Sequence, residues 1–168
     1  MTAYQPELWH DMFVATAGAA AALTGLIFVA VSINLERVLK YPALPPRAVE
    51  TLSILIGLLV LSVFMLIPGQ SLAALGAEIL VLGVVLGAGL LVVRIRVPRA
   101  AGEPRTWTLT PVGVILAATL PMAAAGISVL VHGGGGLYWL VAALILGFVG
   151  AVLNGWSCWS RSIADGAA

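Results

Sequence analysis

The chain has 168 residues, of which 61% are hydrophobic and only 9% are charged, and its formal net charge is +1. A soluble domain carries about 25% charged residues, so this composition excludes an ordinary soluble protein. The small net charge gives no basis for binding nucleic acid. One cysteine, Cys158, excludes an internal disulfide, and no Cys/His spacing indicates structural zinc, so we expect no cofactor.

Long stretches without Asp, Glu, Lys or Arg dominate the sequence. A helix needs roughly 20 apolar residues to cross a hydrocarbon core of about 30 Å. Pro68-Gly69 and the turn His132 to Gly136 interrupt two of these stretches, because proline and consecutive glycines favour turns over helices. We therefore predict one all-α transmembrane domain, residues 1–168, forming an integral membrane bundle of about five helices. The predicted spans are residues 12–35, 50–67, 72–93, 110–131 and 137–157.

The basic residues predict an orientation for these spans. They fall only in the first connection, the third connection and the carboxyl-terminal tail: Arg37, Lys40, Arg47, Arg94, Arg96, Arg99, Arg105 and Arg161. Cytoplasmic loops of membrane proteins carry an excess of Lys and Arg. Five crossings then place the amino terminus outside and the carboxyl terminus in the cytoplasm. Every Trp and Tyr falls near a predicted interface, as an aromatic belt requires.

Small residues recur at helical spacing in three spans. Helices in lipid associate through close backbone approach, which small residues permit. The last span carries such a stripe, the third repeats glycine, and the first has a similar face. The members are Ala143, Gly147, Ala151 and Gly155, then Gly83 and Gly87, then Ala17, Ala21 and Gly25 beside Gly18 and Ala22. We expect most of these stripes to pack within the chain, and one to be available to another subunit.

Glu78 is predicted to be the only ionisable residue well inside a span. It lies about 9 Å from the start of the third helix, at 1.5 Å per residue. A carboxylate at that depth is a candidate for ion or proton binding. The alternative is that its side chain extends to the nearby headgroups.

A second group of ionisable residues is predicted on the same side of the membrane. Glu7, His10 and Asp11 have i, i+3, i+4 spacing and share one helix face, and His132 ends the fourth span. Two imidazoles and these carboxylates could bind a divalent cation or relay protons, although the spacing identifies no metal. The alternative is a solvated helix start, where acidic residues are favourable.

The amino-terminal third resembles a group of small bacterial multi-pass membrane proteins. The resemblance lies in the block Glu7-Leu8-Trp9-His10-Asp11-Met12-Phe13-Val14 and in the run from Ala19 to Leu35. Some members of that group are described as modulators of the membrane-bound FtsH protease. The resemblance implies a bacterial inner-membrane location, and it supplies no catalytic residues.

Two function classes fit these features best. The first is a non-enzymatic inner-membrane protein that contacts lipid and binds or regulates another membrane protein, or forms a homo-oligomer. The second is a small oligomeric ion or proton channel or transporter that uses Glu78 and the acidic and histidine residues near it. An integral membrane enzyme is a third class, which no motif favours.

Overall fold

The computed structural model describes residues 2–40, 44–96 and 106–164, with side-chain surroundings for residues 3–36, 39, 45–96 and 112–154. Every element within these ranges is helical. Two short 3₁₀ turns, Thr2–Tyr4 and Pro6–Trp9, precede the α-helices. These are α1 His10–Ile33, α2 Leu35–Lys40, α3 Leu44–Met65, α4 Leu72–Arg96, α5 Thr106–Val131 and α6 Tyr138–Ala164.

The predicted all-α bundle of five long helices is confirmed, with α2 as a short addition after α1. Four described segments are long and apolar enough to cross a membrane: Pro6–Ile33, Pro45–Met65, Leu72–Arg96 and Val112–Val131. The described apolar part of α6, Tyr138–Asn154, is shorter, although the whole helix has 27 residues. At 1.5 Å per residue, a helix of that length measures about 40 Å.

Helix α3 lies at the centre of the bundle. It packs against α1, α4 and α6, while α5 lies between α4 and α6 and makes its most extensive contact with α4. The side chains that fill the centre are apolar and fully buried: Phe13, Leu58, Leu61, Ile79, Met122 and Leu140. Helix α1 is peripheral, because α3 is the one long helix with which its described residues make an extensive contact.

Neighbouring long helices run antiparallel, so the molecule has two distinct ends. At one end, α3 is joined to α4 by residues 66–71, and α5 to α6 by residues 132–137; we call this the glycine end. At the other end, α3 begins close to where α4 ends, and Oε1 of Glu50 lies 3.7 Å from Nη1 of Arg94. We call this the arginine end. The residues before α1 lie at the glycine end, where the Leu137 amide donates to the Ala3 carbonyl at 2.9 Å.

Glycines set the close approach of α4 to α5. A Cβ on Gly83 would lie 3.0 Å from the Ala123 backbone nitrogen, and one on Gly87 would lie 2.9 Å from the Thr119 hydroxyl. The contact is reciprocal, since a Cβ on Gly126 would lie 2.6 Å from the Leu80 backbone nitrogen. A side chain at Gly83 or Gly126 would press on the backbone of the facing helix, whereas one at Gly87 would press on the side chain of Thr119.

The stripe predicted on the last span faces the bundle where the structure describes it. Ala143 and Ala151 are buried, and a Cβ on Gly147 would lie 3.1 Å from the side chain of Leu58 on α3. The surroundings of Gly155 lie outside the described residues. This face of α6 therefore packs within the chain and is not available to a second subunit.

The structure corrects the predicted start of the second span. Helix α3 begins at Leu44 rather than at residue 50, so Arg47 belongs to the helix and is buried instead of lying in a loop. Pro45 and Pro46 are compatible with this start, because the first-turn amides of a helix have no intrahelical partner. Likewise α4 extends to Arg96, and basic side chains in a last turn interact favourably with the helix dipole.

Candidate functional site

Two of the predicted site residues lie on one cavity at the glycine end. Glu7 and His10 line a cavity of about 340 Å³. Its other walls come from the last turn of α3 with the residues that follow it, from Gln70, and from Leu75 in the first turn of α4. The cavity is thus formed by three parts of the chain that meet only in the folded bundle, and it opens to the surface, where Glu7 and His10 are exposed. Its walls combine apolar surface with one carboxylate, one imidazole and one amide.

Glu78 is connected to this cavity through Gln70. The Gln70 side-chain amide donates a hydrogen bond to the Glu78 carboxylate at 2.5 Å, and Glu78 is partly buried. Gln70 itself lines the cavity, whereas Glu78 does not. The side-chain oxygen of Gln70, Oε1, is buried and accepts no hydrogen bond from the described residues. Glu78 therefore has a defined partner within the protein, although it is placed one side chain behind the cavity wall.

The other two predicted residues are elsewhere at the same end. Asp11 is exposed and is not part of the cavity wall. His132 caps the end of α5, and its ring stacks on Tyr4 with ring centroids 6.1 Å apart. Among the described residues, no three His, Cys, Asp or Glu side chains are grouped so that they could hold a metal ion.

His132 has a local structural role that its sequence position did not reveal. Its φ of 53° is left-handed, which is uncommon for a residue other than glycine. The amides of His132 and Gly133 donate to the carbonyls of Val129 and Ser128, the pair of bonds that closes a Schellman cap. His132 is thus the residue that ends α5, and stacking on Tyr4 fixes its ring against the amino-terminal segment.

Ser128 holds the glycine turn in place. Its hydroxyl donates to the Gly133 carbonyl and accepts from the Gly136 amide at 2.7 Å. A Cβ on Gly136 would clash with the Ala3 carbonyl, so glycine is needed there for the amino-terminal segment to approach. The glycine end is consequently a well-bonded surface on which the residues before α1 are docked.

Comparison of the chain with protein-family models, with curated proteins and with solved structures gave no match. The function is therefore argued from the geometry.

The arginine end contains an ionic group that the sequence analysis missed. Glu50 is fully buried, and its carboxylate lies 3.7 Å from the guanidinium of Arg94, whose side chain is 15% exposed. Arg47 is buried one turn before Glu50, and its carbonyl accepts a hydrogen bond from the Thr51 hydroxyl at 2.9 Å. Glu78 is therefore not the only ionisable side chain well inside a helix, because Glu50 lies as far from the start of α3.

Proposed function

We propose that this protein is a non-enzymatic membrane protein that assembles, through α1, with a helix of another membrane protein or of a second copy of itself. The observation that carries the proposal is the open small-residue face of α1. A Cβ added to Gly18 or Gly25 would meet nothing within 4 Å. Ala21 and Ala22, which lie between them, are exposed as well.

This face points away from the rest of the bundle. The buried residues of α1 are Phe13, Thr16 and Ala20. Successive residues of a helix are about 100° apart, so Gly18 lies roughly 200° from Ala20. Gly25 is seven residues after Gly18, which places the two glycines on one face, two turns apart. Their surface is thus opposite the contact with α3.

Glycine on such a surface needs a physical reason. In a helix, glycine costs about 0.5–1 kcal/mol relative to alanine, and it gives lipid little side-chain surface. On α4, α5 and α6, glycines lie where a neighbouring helix approaches closely. Gly89 on α4 and Gly113 on α5 are exceptions with open space around them, but each is the one such glycine among those described on its helix. Close approach by another helix is the use of glycine that the remaining stripe on α1 fits.

A matched pair of variants tests the proposal. Gly25→Leu and Gly89→Leu both add a side chain in open space, so the fold of the single chain should tolerate both. We expect Gly25→Leu to abolish the assembly seen by native mass spectrometry or by single-molecule photobleaching in liposomes, and Gly89→Leu to retain it. A parent protein that is monomeric and recovers no membrane partner, or assembly unchanged in Gly25→Leu, would refute the proposal.

Location and partner class are parts of the same proposal. The basic residues favour an orientation with the arginine end in the cytoplasm, and the resemblance of the amino-terminal third implies the inner membrane of a bacterium. Because some proteins that the amino-terminal third resembles are described as modulators of a membrane-bound protease, such a protease is one partner to test. Co-purification of such a protease with the parent protein, and its loss with Gly25→Leu, would support that choice.

The channel alternative requires a path between protomers. The described centre of the bundle is mainly apolar, and the buried hydroxyls of Ser62 and Thr119 bond to carbonyls of their own helices, so these residues offer Glu78 little polar surface along a path through a single chain. A pore would therefore depend on the same α1 assembly. Flux across liposomes that is lost in both Glu78→Gln and Gly25→Leu would favour this alternative over a regulatory role.

A further inference from the structure

The groups that line the cavity at the glycine end would attract a positive rather than a negative charge. Among the described residues that line it, the ionisable side chains are Glu7 and His10, and there is no Lys or Arg. The Gln70 side-chain oxygen lies behind this wall, because it is fully buried and has no hydrogen-bond partner among the described residues. The Gln70 amide nitrogen is already committed to Glu78. The wall therefore offers hydrogen-bond acceptors and negative charge.

The carboxyl-terminal end of α3 also contributes hydrogen-bond acceptors and negative charge to the cavity. The carbonyls of Val63 and Phe64 accept from the amides of Leu66 and Ile67. The next carbonyls, those of Met65 and Leu66, accept no backbone hydrogen bond among the described residues. A helix carboxyl terminus carries about half a negative charge, and α3 has no basic residue in its last turn to balance it.

These features select a cation, and they favour an organic one over a metal ion. A divalent metal requires several carboxylate or imidazole ligands around one point, and the described residues form no such group. An ammonium group needs only two or three acceptors, because it donates three hydrogen bonds. The apolar part of the wall, which includes Phe64, Leu75 and Pro6, suits the carbon chain of such a ligand. A volume of about 340 Å³ is within the range for small-ligand sites.

We propose that this cavity binds the primary ammonium group of an amphiphile, with the Glu7 carboxylate and the carbonyls at the end of α3 as its acceptors. The location supports a membrane amphiphile, because the ends of spanning helices lie among lipid headgroups. Two sources carry the same chemistry: a phospholipid with an ethanolamine headgroup, and a water-soluble alkylamine. The site does not depend on the assembly proposed for α1, since none of the open α1 glycines lines it.

Binding to the purified full-length protein tests this site and distinguishes the two sources. Native mass spectrometry would compare dioleoyl phosphatidylethanolamine with dioleoyl phosphatidylglycerol, which has the same acyl chains and no ammonium. Calorimetry in lipid-free detergent would titrate n-butylammonium. The test variant is Glu7→Gln, and the control is Asp11→Asn, which removes an equal charge one turn away and outside the cavity wall.

We expect the parent to retain the ethanolamine lipid at least fivefold over the glycerol lipid. Glu7→Gln should weaken retention by up to about fivefold, as for an ion pair at an exposed site, while Asp11→Asn should match the parent. A preference shown only for n-butylammonium, with the same dependence on Glu7, would support the site and assign it to a free amine. The proposal is overturned if the parent binds neither ligand selectively, if Glu7→Gln binds like the parent, or if Asp11→Asn weakens binding as much as Glu7→Gln. Melting temperatures of all the variants near that of the parent would confirm intact folding.

Discussion

Replacing Gly126 by alanine should destabilise the bundle more than its single added methyl group suggests. The new Cβ would lie 2.6 Å from the backbone nitrogen and 2.7 Å from the Cβ of Leu80 on α4. Optimal carbon contacts are about 3.5–4.0 Å, so the gap is short by roughly 0.9 Å. The obstruction is the backbone of Leu80, which cannot rotate away as a side-chain tip can, so α4 and α5 must separate locally.

The expected size of the effect follows from two opposing contributions. Overpacking of a close contact costs about 1–3 kcal/mol, and an obstruction by backbone belongs near the upper limit. Alanine recovers about 0.5–1 kcal/mol through its higher helix propensity. The net loss is about 2 kcal/mol, which for a soluble chain of this size corresponds to about 4–8 °C in melting temperature.

The assay is thermal unfolding in detergent, followed by circular dichroism or by loss of the monodisperse chromatographic peak. Gly89→Ala is the control on α4, because a Cβ there meets nothing within 4 Å and should leave stability unchanged or slightly higher. Gly147→Ala should be intermediate, since the neighbouring Leu58 side chain can move. If Gly126→Ala melts at or above the temperature of Gly89→Ala, then α4 and α5 do not approach as closely as argued.

Two further predictions concern the buried ion pair at the arginine end and the orientation of the two ends across the membrane. Arg94→Met should destabilise the protein by about 3–5 kcal/mol, because it leaves the fully buried Glu50 without its nearest described cation, while adding Glu50→Leu should recover part of the loss. Additive losses in the double-mutant cycle, again measured by thermal unfolding, would show that the two side chains are not coupled. In a Cys158→Ser background, Gly133→Cys should react with an impermeant maleimide added outside intact cells, and Ala101→Cys should not. The reverse labelling pattern would invert the proposed orientation.

The helices and turns were predictable because their signals are local. An apolar stretch of about 20 residues without charged side chains predicts a membrane-spanning helix. Pro68-Gly69 and the four glycines after His132 favour turns over helices. The start of α3 was missed because a charged residue was taken to mark the membrane interface. Arg47 and Glu50 lie inside the helix because Arg94 comes close to Glu50 from a neighbouring helix, a contact between residues 44 positions apart. The i, i+3 spacing of Arg47 and Glu50 was the available signal.

The cavity was only half predictable, for a related reason. The spacing of Glu7 and His10 indicated a shared face, and both line the cavity. Gln70 gave no periodic signal, since it lies in the turn after Pro68-Gly69. Its importance depends on a hydrogen bond to Glu78 and on the position of the amino-terminal segment against α3. A single amide in a turn acquires a role only when three distant parts of the chain are brought together.

The contrast between the two ends explains how one small bundle could separate stability from binding. At the arginine end, opposite charges are buried against each other, and removing one partner exposes the full desolvation cost of the other. At the glycine end, acceptors lie on a cavity wall that contains no Lys or Arg among the described residues. A positively charged ligand can therefore bind there or dissociate without disrupting the core. Substitutions at the arginine end should therefore change unfolding temperature, whereas Glu7→Gln should change ligand retention at nearly constant stability.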